Sequence, residues 1–248
     1  MDTKLLLAVT TNTRVSAPWQ TTLVDTATVR KAPLFAALDD ADAEALLASM
    51  TRTKIARGQE LFHEGEQGDT LYVITAGKIK LGHRSPDGRE NLLSILGEGE
   101  MLGELSLFDP GPRTTTGTAV ADTELVDLAH GAITEFLGTR PEVAMTMLSA
   151  LAARLHRTNE ALGDLVFTDV PGRVAKVLLD LSLRFGCTVE DGTLVAHDLT
   201  QEELAQMIGA SRETVNKALA DFSSRGWIKL EARAVTLIDT ERLQRRTR

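Results

Sequence analysis

The sequence has one cysteine (Cys187), one tyrosine, and aromatic residues at only 4% of the chain. A lone cysteine excludes an intramolecular disulfide framework, a zinc ribbon and a cysteine-ligated iron–sulfur cluster. It also fits a reducing compartment. With so few rings, the core must be mostly aliphatic. Long apolar runs are missing too: a membrane-spanning helix needs about 20 apolar residues, and no such stretch occurs. Lys4 is followed only by the short run Leu5 to Val9, and Asp2 has the wrong sign for the start of a secretory leader. These absences predict a cytoplasmic protein with no membrane partner. Histidines number 5, and no H-x-H pair exists. His63 with Glu64 and Glu66, His83 and His130 are too scattered for a metal-dependent barrel enzyme. There is no phosphate-binding loop of the GxxxxGK type and no nucleophile elbow. The reading is therefore a non-enzyme without a metal.

Of the 248 residues, 43% are hydrophobic and 25% charged, an ordinary globular balance. The net charge of −8 argues mildly against nucleic acid, but it is unevenly placed. From Asp169 to the end, 12 basic and 12 acidic residues cancel, so the first 168 residues carry the whole −8. From Leu204 onward 9 basic residues face 5 acidic ones, and the tail holds Arg242, Arg245, Arg246 and Arg248. An acidic body with a positive C-terminal end suggests a division of labour.

Residues 1–27 are rich in Thr, Ser and Asn without a period, which predicts a flexible extension. Residues 28–50 carry Leu34, Leu38, Leu46, Leu47 and Met50 at helical spacing, and Asp39 is placed to cap. From about 53 to 130, short β-prone runs (71–74, 78–81, 91–96, 123–128) alternate with glycine-marked turns, which predicts an antiparallel barrel or jelly roll. From Pro141 to Val166, Ala144, Leu148, Leu151, Leu155, Thr158, Leu162 and Leu165 follow a 4-3 spacing. That is a coiled-coil seam, with polar Thr158 inside it. In FTDVPGR (167–173), Asp169 can cap and Pro171 can open a further helix reaching about Phe185, followed by a loop at Gly186–Gly192.

The stretch 198–230 has the marks of a helix-turn-helix. Thr200 and Glu203 form a capping box, Leu204 and Ile208 face inward, Gly209 allows the tight turn, and Ser211 caps the second helix. That helix buries Val215, Leu219 and Phe222. Arg212, Glu213, Asn216 and Lys217 lie on the other face, near the end that enters a major groove. Arg and Lys suit guanine and Glu accepts from cytosine. GWIKLEARAVTLID then reads as a β-hairpin wing turning near Glu231–Ala234.

The second motif is GELSLFDPGPRTTTGTA (103–119). Backbone N–H groups at Gly103 and Glu104 can hold anionic oxygens, and Arg113 can pair with the same anion. Glu104 can accept from a sugar hydroxyl, and Thr114 can donate. On its residues alone this is an anion site with a sugar-reading carboxylate.

GELSLFDPGPRT, Thr158-Asn159 within RLHRTNEAL, FTDVPGR and SRETVNKAL, in this order, resemble the CRP/FNR family of transcription regulators, including its actinobacterial cAMP receptor branch, from about residue 28 onward. The resemblance implies an α+β protein: an N-terminal antiparallel, jelly-roll-like β-roll binding a cyclic nucleotide (28–137), a dimerisation helix and hinge (138–168), and a winged helix-turn-helix (169–248). It implies cAMP as allosteric ligand, held by Leu93, Ser94, Gly103, Glu104, Leu105, Arg113 and Thr114. Thr158 and Asn159 then reach adenine, Asn159 from the opposite subunit. It implies a homodimer through Leu148, Leu151, Leu155 and Leu162, a hinge at Phe167 and Asp169, and double-stranded DNA bound by Thr200, Ser211, Arg212, Glu213, Thr214, Asn216 and Lys217. RNA polymerase is the further partner implied. A member that binds DNA without ligand, or that answers to cGMP or another nucleotide, stays open at this point.

Overall fold

The computed structural model describes residues 26–84 and 90–247, so nearly all of the expected extension 1–27 lies outside the described residues. Three short helices come first, Thr26–Val29 (α1), Pro33–Ala36 (α2) and Asp40–Leu47 (α3). Asp39 caps α3 by accepting the Asp42 N–H at 2.8 Å. The strands follow: Thr51–Ile55 (β1), Glu60–Phe62 (β2), Gln67–Gly68 (β3), Thr70–Ala76 (β4), Ile79–Arg84 (β5), Glu90–Leu96 (β6) and Met101–Leu102 (β7). A short helix, Glu104–Phe108 (α4), interrupts them before Gly111–Pro112 (β8), Thr116–Ala119 (β9) and Thr123–Ala129 (β10).

Two antiparallel sheets, ordered β1-β10-β4-β7 and β2-β9-β5-β6, face each other as in a jelly roll. Phe62, Ile74, Ile79, Leu96, Leu102 and Leu125 fill the space between them. Strand β4 is buried on both faces, which is why TLYVITA reads as an almost continuous apolar run. Its other face, Leu71 and Val73, packs with Phe35, Leu46, Leu128 and Ile133 under the helical layer. That layer includes His130–Thr139 (α5), a helix the sequence pattern did not indicate, and the start of the 26-residue helix Glu142–Phe167 (α6).

Asp169 accepts the Gly172 N–H at 2.9 Å and so opens Val170–Phe185 (α7), with Pro171 in its first turn. The expected loop at Gly186–Gly192 is instead a hairpin of Gly186–Val189 (β11) and Gly192–Ala196 (β12). All four residues of β11 are exposed, so no inward-facing alternation marks it in the sequence. Pairing of β12 with a distant strand stabilises the hairpin. Then come Gln201–Ile208 (α8), Arg212–Ser224 (α9), Ile228–Glu231 (β13), Ala234–Leu237 (β14) and Thr240–Arg246 (α10). The wing, β13 and β14 with Glu231 opposite Ala234, is thus half of a four-stranded sheet ordered β11-β12-β14-β13.

The C-terminal core is not self-contained. Leu92 and Ile95 of β6 join Leu178, Leu204, Ile208, Val215 and Phe222. Two residues three apart can face the same way because the β5–β6 register shifts: Leu81 lies opposite Ser94 and Gly82 opposite Leu92, leaving Leu93 unpaired in a bulge. Polar contacts ring this junction. Lys80 pairs with Glu203 at 2.6 Å, Arg184 with Glu100 at 2.7 Å, and Lys78 with Asp198 and the Ala196 carbonyl. The Leu92 N–H donates to Gln206 Oε1 at 3.2 Å. Among the described residues no helix is long and apolar enough to cross a membrane.

Candidate functional site

The chain delivers Arg113 into the roll from the turn between β8 and β9, where its own N–H and C=O bond Glu66 and Gly65 of the opposing turn. The side chain is 6% exposed. One guanidinium nitrogen, Nη2, donates to the Thr70 carbonyl at 2.9 Å. The other, Nη1, is buried and has no hydrogen-bond partner among the described residues. The guanidinium lies 4.5 Å from the Phe62 ring centre and 5.7 Å from that of Tyr72. Two glycines make room for it. A Cβ on Gly68 would run into Nε, and one on Gly103 would sit 2.5 Å from Nη1. Gly103 also has φ of 78°, a left-handed conformation that glycine adopts without strain, and this turns β7 into α4.

Glu104 follows directly and is buried at 7% exposure. Gly103 thus lies against Arg113, with Glu104 next to it in sequence at the start of α4. Thr114 is exposed, and Ser94 is half-buried with its hydroxyl donating to Ile95 O at 3.4 Å. Leu93 at the bulge and Leu105 on α4 are 51% and 62% exposed, both uncovered apolar groups. A separate cleft of about 1070 Å³ lies between the roll and α8, lined by Lys80, His83, Glu60, Thr200, Glu203 and Gln206 among others. None of Gly103, Glu104, Arg113 and Thr114 lines it.

On α6 the seam positions from Ala144 to Leu155 emerge unburied. Leu148 and Leu155 are 56% and 62% exposed, Met145 beside them is 67% exposed, and Leu151 is half-buried. Val143 and Met147, on the adjoining face, are buried against the roll. The backbone of Thr158, Asn159, Leu162 and Phe167 is helical, but their side chains lie outside the described residues.

The helix-turn-helix is capped as expected. The Thr200 hydroxyl accepts the Glu203 N–H, and the Glu203 carboxylate accepts the Thr200 N–H at 2.8 Å. Gly209 is left-handed, and Ser211 accepts the Thr214 N–H at 3.2 Å. Arg212, Glu213, Thr214 and Lys217 are exposed, with Lys217 donating to Glu213 at 2.7 Å. Asn216 departs from the expected exposed face. It is half-buried, and its Oδ1 is shielded without a partner among the described residues. Thr200 sits at the cleft with the roll, its box partner Glu203 tied to Lys80. Burial pushes the Glu203 carboxyl up, but hydrogen bonds from Lys80 and Thr200 outweigh it and hold the group below its ordinary value.

Arg173, the last residue of the hinge motif, has a structural role that the sequence pattern did not indicate. Arg173 donates to Thr168 O at 2.9 Å, Ile208 O at 3.0 Å and Gly209 O at 3.1 Å. It satisfies carbonyls left open at the end of α8 and ties the hinge to the helix-turn-helix turn. Its place in FTDVPGR was the only signal. At the hinge, a hydrogen bond from Arg246 at 2.6 Å and one from the Gly172 N–H hold the Asp169 carboxyl below its ordinary value.

Residues 52–140 match the cyclic nucleotide-binding domain family, and residues 172–246 match the Crp-like helix-turn-helix domain family. The chain is 53% identical over 219 residues to a CRP-like cAMP-activated global transcriptional regulator of Mycobacterium tuberculosis, covering 88% of this chain and 97% of that one. It is similar to the N-terminal domain of a transcriptional regulator from Streptomyces coelicolor A3(2), at 56% identity and TM-score 0.50, over 54% of this chain and 94% of that one. It is also similar to the c-di-GMP responsive global regulator CLP of Xanthomonas campestris, at 26% identity and TM-score 0.67, over 80% and 99% of the two chains.

Proposed function

The chain belongs to the CRP/FNR family of transcription regulators, and we propose that it acts as a cAMP-responsive homodimer that binds palindromic DNA. The observation that carries the ligand half is the buried Arg113 with an unpartnered Nη1 beside Gly103 and Glu104. A buried cation is stable only when an anion or equivalent partner completes it. A cyclic phosphate completes it, and the ribose hydroxyl beside that phosphate suits the Glu104 carboxylate. Leu93, Leu105 and Ser94 surround the sugar and base, and Thr114 supplies a hydroxyl.

The working parts follow the division 28–137 for ligand, 138–168 for the dimer helix and hinge, and 169–248 for DNA. The exposed leucines of α6 support pairing with a second copy, since a row of uncovered apolar side chains on one helix face is an interface signature. Thr158 and Asn159 then meet the purine from the two subunits. Arg212, Glu213 and Lys217 read base edges, while Thr200, Ser211 and Thr214 hold phosphates. Asn216, half-buried on the same helix, stands beside them with its Oδ1 unpartnered among the described residues. RNA polymerase is the further partner, and the cytoplasm is the place of action.

Calorimetric titration of the purified protein with cAMP, cGMP and c-di-GMP tests the reading, followed by DNA affinity with and without each. cAMP should bind and should tighten DNA binding, and DNA must tighten cAMP binding by the same factor. DNA affinity unchanged by saturating cAMP would mean that the ligand-free dimer is already competent.

A further inference from the structure

Arg113 is held in an unusual way for a buried cation. Phe62, 5% exposed, and Tyr72, half-buried, stack on each other with centroids 6.1 Å apart and planes 26° apart. The guanidinium lies within cation–π range of both rings, and its Nη2 is bonded to Thr70 O. The position of Phe62 is itself set by Gly117, where a Cβ would meet the ring at 3.2 Å. A carboxylate partner would hold a guanidinium equally well, but it would neutralise the charge and compete with an incoming phosphate. A ring face attracts the cation through its quadrupole and leaves the in-plane N–H groups unused. Nη1 is such a group, buried against Gly103 and unpartnered among the described residues.

We propose that the stacked pair Phe62–Tyr72 is the positioning element of the anion site, holding Arg113 in its binding geometry before the nucleotide arrives. Affinity for the phosphate, rather than for the sugar or base, then depends on these two rings. Both are positioning residues, since they act through Arg113. The inference rests on the reading of Arg113 as the phosphate ligand given above.

The test uses the full-length chain. Phe62→Leu and Tyr72→Leu remove one ring face each, and Tyr72→Phe keeps the face. Calorimetry with cAMP is paired with adenosine as a competitor, because adenosine lacks the phosphate. Each leucine variant should weaken cAMP by about 3- to 30-fold, the span of exposed to desolvated cation–π contacts, and leave adenosine unchanged. Tyr72→Phe should restore cAMP affinity. In an Arg113→Leu background the ring substitutions should cause no further loss of cAMP affinity. Should Phe62→Leu fail to fold, Tyr72→Leu, at the less buried ring, carries the same comparison. Equal losses for cAMP and adenosine, or an undiminished ring effect without Arg113, would overturn the positioning role while leaving the phosphate reading intact. Wild-type cAMP affinity in Arg113→Leu alone would overturn that reading and this proposal with it.

Discussion

Arg113 is 6% exposed, fitted against two glycines and stacked on two rings, whereas the Lys217 and Glu213 side chains are 75% and 78% exposed and touch only across one turn of α9. Both regions present ionic groups. They differ in what surrounds the charge. In the roll the cation is already desolvated, so an anion entering there meets a strong field at low dielectric. On α9 the charges are hydrated and mutually paired, and an exposed i,i+4 pair contributes only about 0.3–0.5 kcal/mol. Such a pair opens easily when a groove offers better partners. The buried arrangement suits a small ligand bound at one point. The exposed one suits a long polyanion bound by many weak contacts that salt screens.

The largest expected effect separates the two regions outright. Replacing Leu151 and Leu155 together with Glu should abolish the dimer, because each buried Leu contributes about 1.5–3 kcal/mol and the seam is doubled. DNA binding should collapse, since two recognition helices must span successive major grooves about 34 Å apart. The phosphate contact to Arg113 should survive. Sedimentation showing an intact dimer would place the seam elsewhere.

Next comes Arg113→Leu, which acts on the roll alone. Removing one partner of a buried charge pair costs about 3–5 kcal/mol. cAMP affinity should therefore fall by two orders of magnitude or more, while ligand-free DNA binding stays at its basal level. Calorimetry and a DNA mobility assay on the same preparation check both halves.

Glu213→Ala sharpens the other side. It should relax preference at a single base pair by about 1–3 kcal/mol without altering cAMP affinity. Competition among operators varied one position at a time is the measurement. A uniform loss across all sequences would reassign Glu213 to positioning.

The smallest effect concerns the junction between the regions. His197, 6% exposed, lies next in sequence to Asp198, which pairs with Lys78. Burial lowers its pKa below the ordinary 6.5, the Asp198 charge opposes this, and Lys78 adds to it. The imidazole is thus neutral when folded and gains its proton more readily when unfolded. Stability is complete above about pH 6.5 and declines as pH falls toward the lowered folded value. Thermal melts between pH 7.5 and 5 should show this slope, and His197→Asn should flatten it.

Much of this was legible along the chain because it depends on neighbours in sequence. The capping box of Thr200 and Glu203, the glycine turn, the Asp39 and Asp169 caps and the strands around 71–74, 91–96 and 123–128 are all local devices, and each formed where its residues indicated. The hairpin β11–β12 and the helix α5 were not legible. The hairpin is stabilised by pairing with a strand some forty residues on, and it has no buried face of its own to leave an alternating trace. The half-burial of Asn216 likewise has no trace in the spacing of α9.

The sequence by itself determined which chemistry is present: a glycine-bounded Glu and Arg, an apolar seam, and a capped pair of helices with charges at one end. Spacing within a few residues is enough for that, since caps, turns and helical faces form over one or two turns. Only the tertiary structure decided how the charges are held. Arg113 meets Phe62 and Tyr72 because three separate strands and turns converge. Leu92 and Ile95 reach the helix-turn-helix core because one unpaired residue in β6 shifts the strand register. Both outcomes depend on backbone segments distant in sequence fitting at ångström precision, and no local pattern encodes that.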